Sequence, residues 1–330
     1  MRIVFYDHLA LEFPDEIAAL RERVRQLDAA HEIVVLDPAE SDIVAEIADA
    51  DLLVAGRIPD DAWRAADALK YWLVPFAGVN WLPEDVSERG VRVANSHGNA
   101  PVVAERAVGL LLAAAGRIVE FDAAMRKGQW SRRQDEHRPF EYWTSIKGKT
   151  IAYIGAGQIA RETRTLLAGF GCRHIACRRR PEALHGFDYT TTDIHEALDM
   201  ADAAIVGLPL TPDTRDAIGP TELDALGTGV LVNVSRGEVV NEEALYTALR
   251  DGRLLAAGID TWYQYPKPFW TDAAPSRYDF AALPSVVMSP HAASHAVQGK
   301  VGQLSGTIEN LISILRTGNP VHEAHPELGY

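Results

Sequence analysis

Cysteine is scarce in this sequence, which contains only Cys172 and Cys177. Two cysteines five positions apart do not make the disulfide framework of a small secreted domain, and no second pair exists to complete a cysteine-rich zinc site. We therefore expect two buried thiols in a reducing compartment, which is the cytoplasm.

Long apolar runs and an excess of basic residues are also missing. No run reaches about 18 apolar residues, so no membrane-spanning helix is expected. The opening "RIVFYD" (2–7) is typical of a first strand and not of a signal peptide. The 46 acidic residues outnumber the 32 basic ones, which gives a formal net charge of −14. This balance argues against nucleic acid or an anionic membrane as the main partner.

What the sequence does contain is a regular alternation of short apolar runs and helical patterns. For a chain of 330 residues, two domains are the starting expectation. Strands separated by helices predict parallel pairing, and hence two doubly wound α/β sheets. The expected strands form two series, namely RIVFYD (2–7), EIVVLD (32–37), DLLVAG (51–56), YWLVPFAG (71–78) and VRVAN (91–95), then TIAYIGAG (150–157), RHIAC (173–177), AAIVGLP (203–209), GVLVNVS (229–235), LLAAGID (254–260) and SVVMSP (285–290).

Two long amphipathic patterns, at 101–128 and 294–318, link the two series. Each predicts a helix, and the second returns the chain towards the first domain. Two crossings between the domains are therefore expected, near 97–101 and 289–295. The polar stretch 129–149 predicts a long surface loop.

A glycine-rich turn follows the first strand of the second series. "YIGAGQIA" places Gly155, Gly157 and Ala160 between a predicted strand and a predicted helix, in the spacing of a dinucleotide-binding fingerprint. Gly155 permits the tight turn, and Gly157 lets the backbone approach a pyrophosphate at the helix N-terminus. The small residue at position 160 allows close packing of the helix on the strand.

Three consecutive arginines follow the next strand of this series. NAD-binding domains place an acidic residue about twenty positions after the glycines, where it holds the ribose 2′-hydroxyl. Here the strand "RHIAC" is followed by Arg178, whose guanidinium can grip the 2′-phosphate of NADP that a carboxylate would repel. Arg179 can add to this grip or stack on the adenine, whereas Arg180 is interpreted as part of a solvated turn.

Five further segments follow one another in a fixed order: FAGVNWLP (76–83), ANSHGNAPVVAERAVGLLL (94–112), GLPLTPDTRDAIG (207–219), NVSRGEVVNEEAL (233–245) and SPHAASH (289–295). They resemble the substrate loop, the approach to the crossing helix, the Pro-Leu-Thr segment, the Arg-Gly signature and the catalytic-histidine segment of the D-isomer-specific 2-hydroxyacid dehydrogenases. The resemblance covers nearly the whole chain. It implies a Rossmann cofactor domain, 101–291, inserted into a flavodoxin-like substrate domain, 1–100 and 292–330.

The resemblance also implies the residues that carry the chemistry. Reduction of a 2-oxo acid needs a cation for the substrate carboxylate, and Arg236 just after a strand end suits that role. It also needs a proton donor, and His291 belongs to a residue type whose ordinary pKa lies near 6.5. The backbone amides of Gly78 and Val79 resemble the second carboxylate contact of the family, and Asn99 borders the same pocket.

A nicotinamide cofactor is implied by the same resemblance, with NADP(H) preferred over NAD(H). The residues expected to contact it are Val103, Gly155, Gly157, Gln158, Ile159, Arg178, Arg179, Leu208, Pro209, Thr214, Val234, Ser235 and Asp260. No metal is expected, because His291 and His295 share a helical spacing but no third ligand accompanies them.

One position departs from the family pattern. Tyr265 stands five residues after Asp260, where the resemblance places a glutamate that pairs with the histidine and raises its pKa. A tyrosine has an ordinary pKa near 10, so it stays neutral and offers only a hydrogen bond. Three interpretations remain open. Tyr265 orients His291, as a neutral amide does in the formate dehydrogenases of this superfamily; or Asp272 or Asp279 folds back to supply the charge; or turnover has been lost and binding kept.

The leading functional hypothesis is an NADPH-dependent reductase of a small 2-oxo acid of the glyoxylate or hydroxypyruvate kind. Oxidation of a small oxyanion such as formate and a weakly catalytic NADP(H)-sensing interaction protein are the alternatives. Family members are usually homodimers through the cofactor domain, and the apolar "VVAERAVGLLLAAAG" helix would suit such an interface. An aromatic group either walls the substrate pocket or packs its loop, and it comprises Trp262, Tyr263, Tyr265, Phe269 and Trp270.

Overall fold

The computed structural model describes residues 1–130, 142–266 and 271–326. The chain divides into two compact units. Unit 1 comprises Met1–Asn99 and His295–Tyr330, and unit 2 comprises Ala100–Ser294.

Strands and helices alternate through the described residues. The strands are β1 (Arg2–Tyr6), β2 (Glu32–Val35), β3 (Leu52–Ala55), β4 (Tyr71–Val74), β5 (Arg92–Asn95), β6 (Thr150–Ile154), β7 (Arg173–Cys177), β8 (Tyr189–Thr191), β9 (Ala203–Val206), β10 (Val230–Asn233), β11 (Ala256–Ile259), β12 (Val286–Met288) and β13 (Glu323–Ala324). The α-helices are α1 (His8–Glu12), α2 (Pro14–Leu27), α3 (Ile43–Ile47), α4 (Asp60–Ala65), α5 (Ala100–Ala115), α6 (Ile118–Arg126), α7 (Gln158–Leu166), α8 (Ile194–Asp199), α9 (Pro220–Leu226), α10 (Glu242–Arg250) and α11 (Val297–Thr317). Short 3₁₀ turns lie at Leu167–Phe170, Gly237–Val239 and Phe280–Ala282.

Unit 1 is built on a six-stranded sheet with the order β13-β5-β4-β3-β1-β2. Strands β1 to β5 pair in parallel, and the short β13 joins β5 in the antiparallel direction. The order 2-1-3-4-5 of the first five strands is that of flavodoxin-like folds. Because β2 and β3 lie on opposite sides of β1, the chain reverses its progress across the sheet between β1 and β3. A ligand crevice opens at the carboxyl ends of the strands at such a point.

Unit 2 is built on a seven-stranded sheet with the order β12-β11-β10-β9-β6-β7-β8, in which every pair is parallel. Counted within the unit, this order is 3-2-1-4-5-6 with one further strand, which is the arrangement of Rossmann folds. The reversal lies between β6 and β9. The loops that follow these two strands therefore flank the crevice of unit 2.

Burial explains why these segments form strands and helices. Strands β3 and β10 are buried at every position, as expected for parallel strands with helices on both faces. Helix α2 turns Ile17, Leu20 and Val24 into the core of unit 1, at helical spacings of three and four. The predicted class, two doubly wound parallel sheets in an α/β chain, is confirmed.

The single helix predicted over 101–128 is wrong in one respect, because α5 ends at Ala115 and α6 begins at Ile118. Arg117 between them adopts a left-handed conformation with φ of 52°. A Cβ on Gly116 would lie 2.6 Å from the Leu112 carbonyl oxygen, so glycine permits the break. Apolar periodicity alone does not reveal this interruption.

Within the described residues, no helix combines the length and apolar character needed to cross a membrane. Both cysteines are free thiols, and Cys177 is buried as expected. Cys172 is only half-buried, and its thiol donates to the carbonyl oxygen of Ile146 at 3.2 Å.

Candidate active site

The glycine turn after β6 has the geometry that its sequence predicts. Gly155 has φ of +96°, and a Cβ there would lie 2.7 Å from the backbone of Gly207 and Leu208. Any other residue is therefore excluded both by conformation and by space. Gly157 precedes the first residue of α7, and a Cβ built on it meets no described atom within 4 Å. No packing contact inside the protein therefore requires a glycine at position 157. The space beside Gly157, in front of the N-terminus of α7, is open and suits an anionic group.

The loop after β9 folds against this turn. The Thr214 hydroxyl donates to the carbonyl oxygen of Pro209 at 2.6 Å, and it also contacts the Thr211 hydroxyl at 3.1 Å. These bonds close the loop around Leu208 and Pro209, both half-buried. The residues on either side of the crevice in unit 2 therefore fit a dinucleotide, with the glycine turn on one side and this loop on the other.

The arginines after β7 lie at the carboxyl end of a strand next to β6. Arg178 is half-buried and its backbone N–H donates to the Thr191 carbonyl oxygen at 3.0 Å, while Arg179 and Arg180 are exposed. No described acidic side chain forms an ion pair with Arg178. The carboxylates of Asp193 and Glu196 are engaged elsewhere, because Asp193 caps α8 and Glu196 accepts from Tyr189 at 2.8 Å.

A second group of residues, several of them expected to contact the cofactor, packs between α5, α7 and the sheet of unit 2. Val103, Val234 and Ala160 are buried in one hydrophobic cluster, against which Ile159 packs. Gln158 opens α7 and is exposed. The packing of α7 against α5 and the sheet thus supports the turn that precedes it.

The turn after β10 presents Arg236. The Asn233 side chain accepts from the backbone N–H of Ser235 at 3.0 Å and from its hydroxyl at 2.9 Å, and it donates to the Arg236 carbonyl oxygen at 2.9 Å. A Cβ on Gly237 would lie 2.3 Å from the Trp262 carbonyl oxygen, so the turn packs closely against the segment after β11. Burial lowers the pKa of Arg236. Arginine has such a high ordinary pKa that the side chain stays a cation.

Asp260 organises the segment that carries His291. Its carboxylate is fully buried and accepts from the Ser289 hydroxyl and from the backbone N–H groups of Ala292 and Ala293, the last two at 3.0 and 3.1 Å. Its carbonyl oxygen accepts from the His291 N–H at 2.8 Å. His291 adopts φ of 54°, a left-handed conformation that costs a non-glycine residue energy. These bonds hold the Asp260 carboxylate in place, and its expected contact with the cofactor stays a prediction.

Tyr265 lies beside His291, with ring centroids 5.4 Å apart and planes inclined by 59°. The backbone N–H of Trp262 donates to the Tyr265 hydroxyl oxygen at 3.2 Å. Burial raises the pKa of Tyr265 above its ordinary value, although the nearby Arg236 acts in the opposite direction. The phenol is therefore neutral near neutral pH and keeps its proton available for donation.

A cavity of about 440 Å³ in unit 2 is lined by Tyr265 and His291. Asp272 lines the same cavity, whereas the Asp279 carboxylate accepts from the Ala282 N–H at the start of a 3₁₀ turn. Asp279 does not line this cavity, so the hypothesis that it supplies the missing charge is not supported.

The aromatic residues near Tyr265 mostly pack their loop. The Trp262 indole is buried and donates to the Ser289 carbonyl oxygen at 2.8 Å, although its side chain also borders the cavity. The Tyr263 hydroxyl donates to the Val240 carbonyl oxygen at 3.0 Å. Phe269 and Trp270 lie outside the described residues, so their predicted place beside the pocket stays a prediction.

The substrate loop predicted around Gly78 belongs to unit 1. The Trp81 indole donates to the Gly78 carbonyl oxygen at 2.8 Å, and the Asn95 amide donates to the Ala77 carbonyl oxygen at 2.7 Å. The backbone N–H groups of Gly78 and Val79 donate no hydrogen bond to any described residue. Two neighbouring unpaired N–H donors can together bind one carboxylate. The amino-acid composition does not reveal such a pair, because the two donors are backbone groups.

Asn99 is the last residue of the first segment of unit 1 and is half-buried. The residues from His291 to Ala296 form no helix, so the helical spacing between His291 and His295 has no structural counterpart. Within unit 2, Tyr265 lies beside His291 and close enough to Arg236 to interact with its charge, whereas Gly78, Val79 and Asn99 belong to unit 1.

Comparison with known proteins agrees with this geometry. The model of the family described as "D-isomer specific 2-hydroxyacid dehydrogenase, NAD binding domain" matches residues 108–293. The glyoxylate reductase of Thermococcus gammatolerans is 31% identical over 285 residues, covering 82% of this chain and 81% of its own, and that of Korarchaeum cryptofilum is 31% identical over 303 residues, covering 88% and 87%.

Among solved structures, the NADPH-dependent glyoxylate/hydroxypyruvate reductase of Sinorhizobium meliloti, in complex with NADP and malonate, is similar with a TM-score of 0.74. It is 26% identical, and the match covers 99% of this chain and 98% of that one. The resemblance found in the sequence is confirmed. The chain belongs to the D-isomer-specific 2-hydroxyacid dehydrogenase family and is an NAD(P)-dependent dehydrogenase.

Proposed function

We propose that the chain reduces a small 2-oxo acid, of the glyoxylate or hydroxypyruvate kind, to the D-2-hydroxy acid with NADPH as the hydride donor. The observation that carries this proposal is the grouping of Arg236, Tyr265 and His291 at the carboxyl ends of the unit 2 strands. The relatives named glyoxylate reductase and the similar NADPH-dependent reductase support the substrate class and the cofactor. Unit 2 binds the cofactor, and unit 1 provides the substrate loop.

The Arg236 guanidinium of unit 2 binds the substrate carboxylate. The backbone N–H groups of Gly78 and Val79, and Asn99, keep their expected role as the substrate contacts of unit 1. Arg236 suits this role because it is a cation on a turn locked by Asn233. Fixing the carboxylate orients the adjacent carbonyl for attack. The bound reduced nicotinamide would supply the hydride to the carbonyl carbon.

His291 gives its proton to the carbonyl oxygen as the alcohol forms, and it takes the proton back in the reverse direction. Asp260 holds the backbone around His291, and the Tyr265 ring packs beside the imidazole and orients it. A neutral phenol does not supply the negative charge by which a carboxylate raises the pKa of a neighbouring histidine. The reaction therefore proceeds without the ion pair between a glutamate and the histidine that the family pattern implies.

NADP(H) is preferred over NAD(H) because Arg178 and Arg179 follow β7 where NAD-binding domains carry an acid. A guanidinium forms paired, charge-assisted hydrogen bonds with a 2′-phosphate. The remaining expected contacts come from the glycine turn, from the loop of Leu208, Pro209 and Thr214, and from the turn of Val234 and Ser235.

The experiment that tests the function is the oxidation of NADPH and of NADH against a panel of 2-oxo acids. Turnover of glyoxylate or hydroxypyruvate that is faster with NADPH supports the proposal. Tight NADPH binding with no turnover of any 2-oxo acid would contradict it and favour a cofactor-sensing protein.

Formate oxidation is the second candidate, because the neutral Tyr265 beside His291 fits a reaction that needs no proton acceptor. Formate and NADP⁺ would then give carbon dioxide and NADPH. Including formate with NADP⁺ in the same panel separates the two reactions.

The proposed assembly is a homodimer. Its interface is not expected to involve α5, the helix that the apolar sequence suggested. Most apolar side chains of α5 are buried inside unit 2, so that helix has few left for a partner. Exposed large apolar side chains instead lie on and near α6, namely Ile118, Val119, Met125, Trp130, Tyr142 and Trp143. Light scattering of the purified chain and of its Val119→Asp variant tests this surface.

The free thiols support a reducing compartment, the cytoplasm.

A further inference from the structure

Three polar side chains that the proposed function does not use meet inside unit 2, namely Tyr153 on β6, His174 on β7 and Arg164 on α7. The Tyr153 hydroxyl lies 3.0 Å from Nδ1 of His174, and the centroids of the two rings are 5.8 Å apart. Both side chains are buried, with exposed fractions of 0% and 6%. Arg164 is close enough to act electrostatically on both rings.

The guanidinium of Arg164 has little room beside the two rings. A Cβ on Gly186 would lie 3.0 Å from its Cζ and 3.2 Å from its Nε, so the backbone at Gly186 packs directly against it. The Nε atom is buried and donates to no atom of the described chain. An unpaired buried donor already costs free energy, and a second cation beside it costs more because like charges repel.

The charged neighbours of His174 oppose its protonation more than they favour it. Burial lowers the pKa of His174, and Arg164 lowers it further. Asp188, just before β8, acts more weakly in the opposite direction, and its carboxylate accepts from the His174 backbone N–H at 2.7 Å. Burial raises the pKa of Tyr153, so the phenol stays neutral. Helix α8 packs on the other face of β7, where the acidic groups at its start act on Cys177.

This cluster reaches both elements that hold the glycine turn. Tyr153 lies on β6, two residues before Gly155, and Arg164 lies on α7, which begins immediately after Gly157. A helix is a rigid element, so a displacement of Arg164 is transmitted to the N-terminus of α7. That N-terminus is where the pyrophosphate of a dinucleotide is expected to bind.

We propose that His174 is a proton sensor for cofactor binding: its imidazolium repels the Arg164 guanidinium, displaces α7 and so weakens the hold of the glycine turn on the dinucleotide. The proposal requires only that unit 2 binds a nicotinamide cofactor, whichever substrate is reduced. The neutral imidazole is the form that binds, so affinity is constant above the pKa of His174 and falls as the pH drops below it. Because burial and Arg164 place this pKa below the ordinary value near 6.5, the loss is confined to acidic conditions.

The test is the dissociation constant of NADPH and of NADH, measured by their fluorescence without substrate from about pH 7.5 to about pH 5. The unchanged chain is expected to bind each dinucleotide about 5-fold or more weakly at the acidic end. His174→Gln has no imidazole to titrate and is expected to lose much less affinity. The 2′-phosphate of NADPH also titrates in this range, but its contribution is the same in every variant.

His195→Gln is the matched control, because His195 is an exposed histidine on α8 of the same unit. It is expected to keep the pH dependence of the unchanged chain. Arg164→Met keeps an apolar stem but removes the charge that is repelled, so its affinity is expected to depend much less on pH. The same pH dependence in all four proteins overturns the proposal. A dependence that is lost in His174→Gln but kept in Arg164→Met overturns it as well.

A second measurement uses the unchanged chain and does not depend on the folding of any variant. Proton binding and cofactor binding are coupled reciprocally, so a saturating dinucleotide is expected to lower the pKa of His174 further. An NMR titration of the imidazole resonance, assigned through its contact with the Tyr153 ring, measures this pKa. An equal pKa with and without the dinucleotide overturns the proposal.

Discussion

Replacing Tyr265 with glutamate is expected to raise the pH above which the activity of the reductase falls. The Tyr265 and His291 rings lie 5.4 Å apart, which gives the scale of the separation between a new carboxylate and the imidazole. Two unit charges at that separation interact by about 3 kcal/mol at an effective dielectric constant of about 20. This energy corresponds to a change of about two pKa units. The carboxylate favours the imidazolium, so the pKa of His291 moves upwards.

The assay is the pH dependence of kcat/KM for glyoxylate reduction. Reduction uses the protonated imidazole, so activity falls as the pH rises through the pKa of His291. In Tyr265→Glu this fall is expected at a pH up to about two units higher. Tyr265→Phe removes the hydroxyl without adding charge, so it is expected to lower kcat more than it weakens NADPH binding. An unchanged turnover in Tyr265→Phe would show that the hydroxyl is only part of the scaffold.

Tyr263→Phe is the matched control, because Tyr263 is half-buried in the same loop but its hydroxyl donates to the Val240 carbonyl oxygen. It tests whether loss of a nearby hydroxyl disturbs the site through folding alone. If Tyr265→Glu keeps the pH profile of the unchanged enzyme while both variants remain folded, the contact between residue 265 and His291 does not govern the proton transfer.

Three further substitutions test separate parts of the proposal. His291→Ala is expected to lower kcat/KM by about 100-fold or more while NADPH still binds, and substantial residual turnover would remove His291 from the mechanism. Arg178→Asp is expected to weaken NADPH binding about 10- to 100-fold while sparing NADH, and an equal loss for both cofactors would refute phosphate recognition. Burial, aided by Arg164, lowers the pKa of His174, so the unfolded chain binds more protons and stability falls as the pH drops below about 6.5. Denaturant titrations should show a weaker acid dependence in His174→Gln, and an identical dependence would mean that other groups cause it.

The strands and the glycine turn could be predicted because each depends on a local pattern. An uninterrupted apolar run such as "LLVA" in β3 is what a strand buried on both faces requires. Gly155 is likewise required by its own backbone angle and by the close approach of Gly207. The apolar run and the Gly-x-Gly spacing are visible within a few residues, although the approach of Gly207 to Gly155 is not.

The break between α5 and α6 shows where local patterns mislead. The apolar spacing continues across Gly116 and Arg117, yet the chain leaves the helix there. Arg117 then pairs with Glu120 in the first turn of α6, an ion pair that a sequence pattern does not distinguish from any other at this spacing. Glycine within the helical pattern was the available signal.

The role of Asp260 could not be predicted, because its partners lie about thirty residues further along the chain. Its position at the end of β11 suggested a cofactor contact, since parallel strands bind ligands at their carboxyl ends. In the structure its carboxylate accepts from the N–H groups of Ala292 and Ala293, which follow β12, a role that the position alone did not suggest. Because β11 and β12 are neighbours in the sheet, the two carboxyl ends meet, and the acid holds the loop that bears His291. Removing the carboxylate would leave the Ser289 hydroxyl and the N–H groups of Ala292 and Ala293 without their acceptor, and unpaired buried donors cost free energy of folding. Replacement of Asp260 by alanine should therefore reduce both stability and turnover, whereas loss of a cofactor contact alone would leave the stability unchanged.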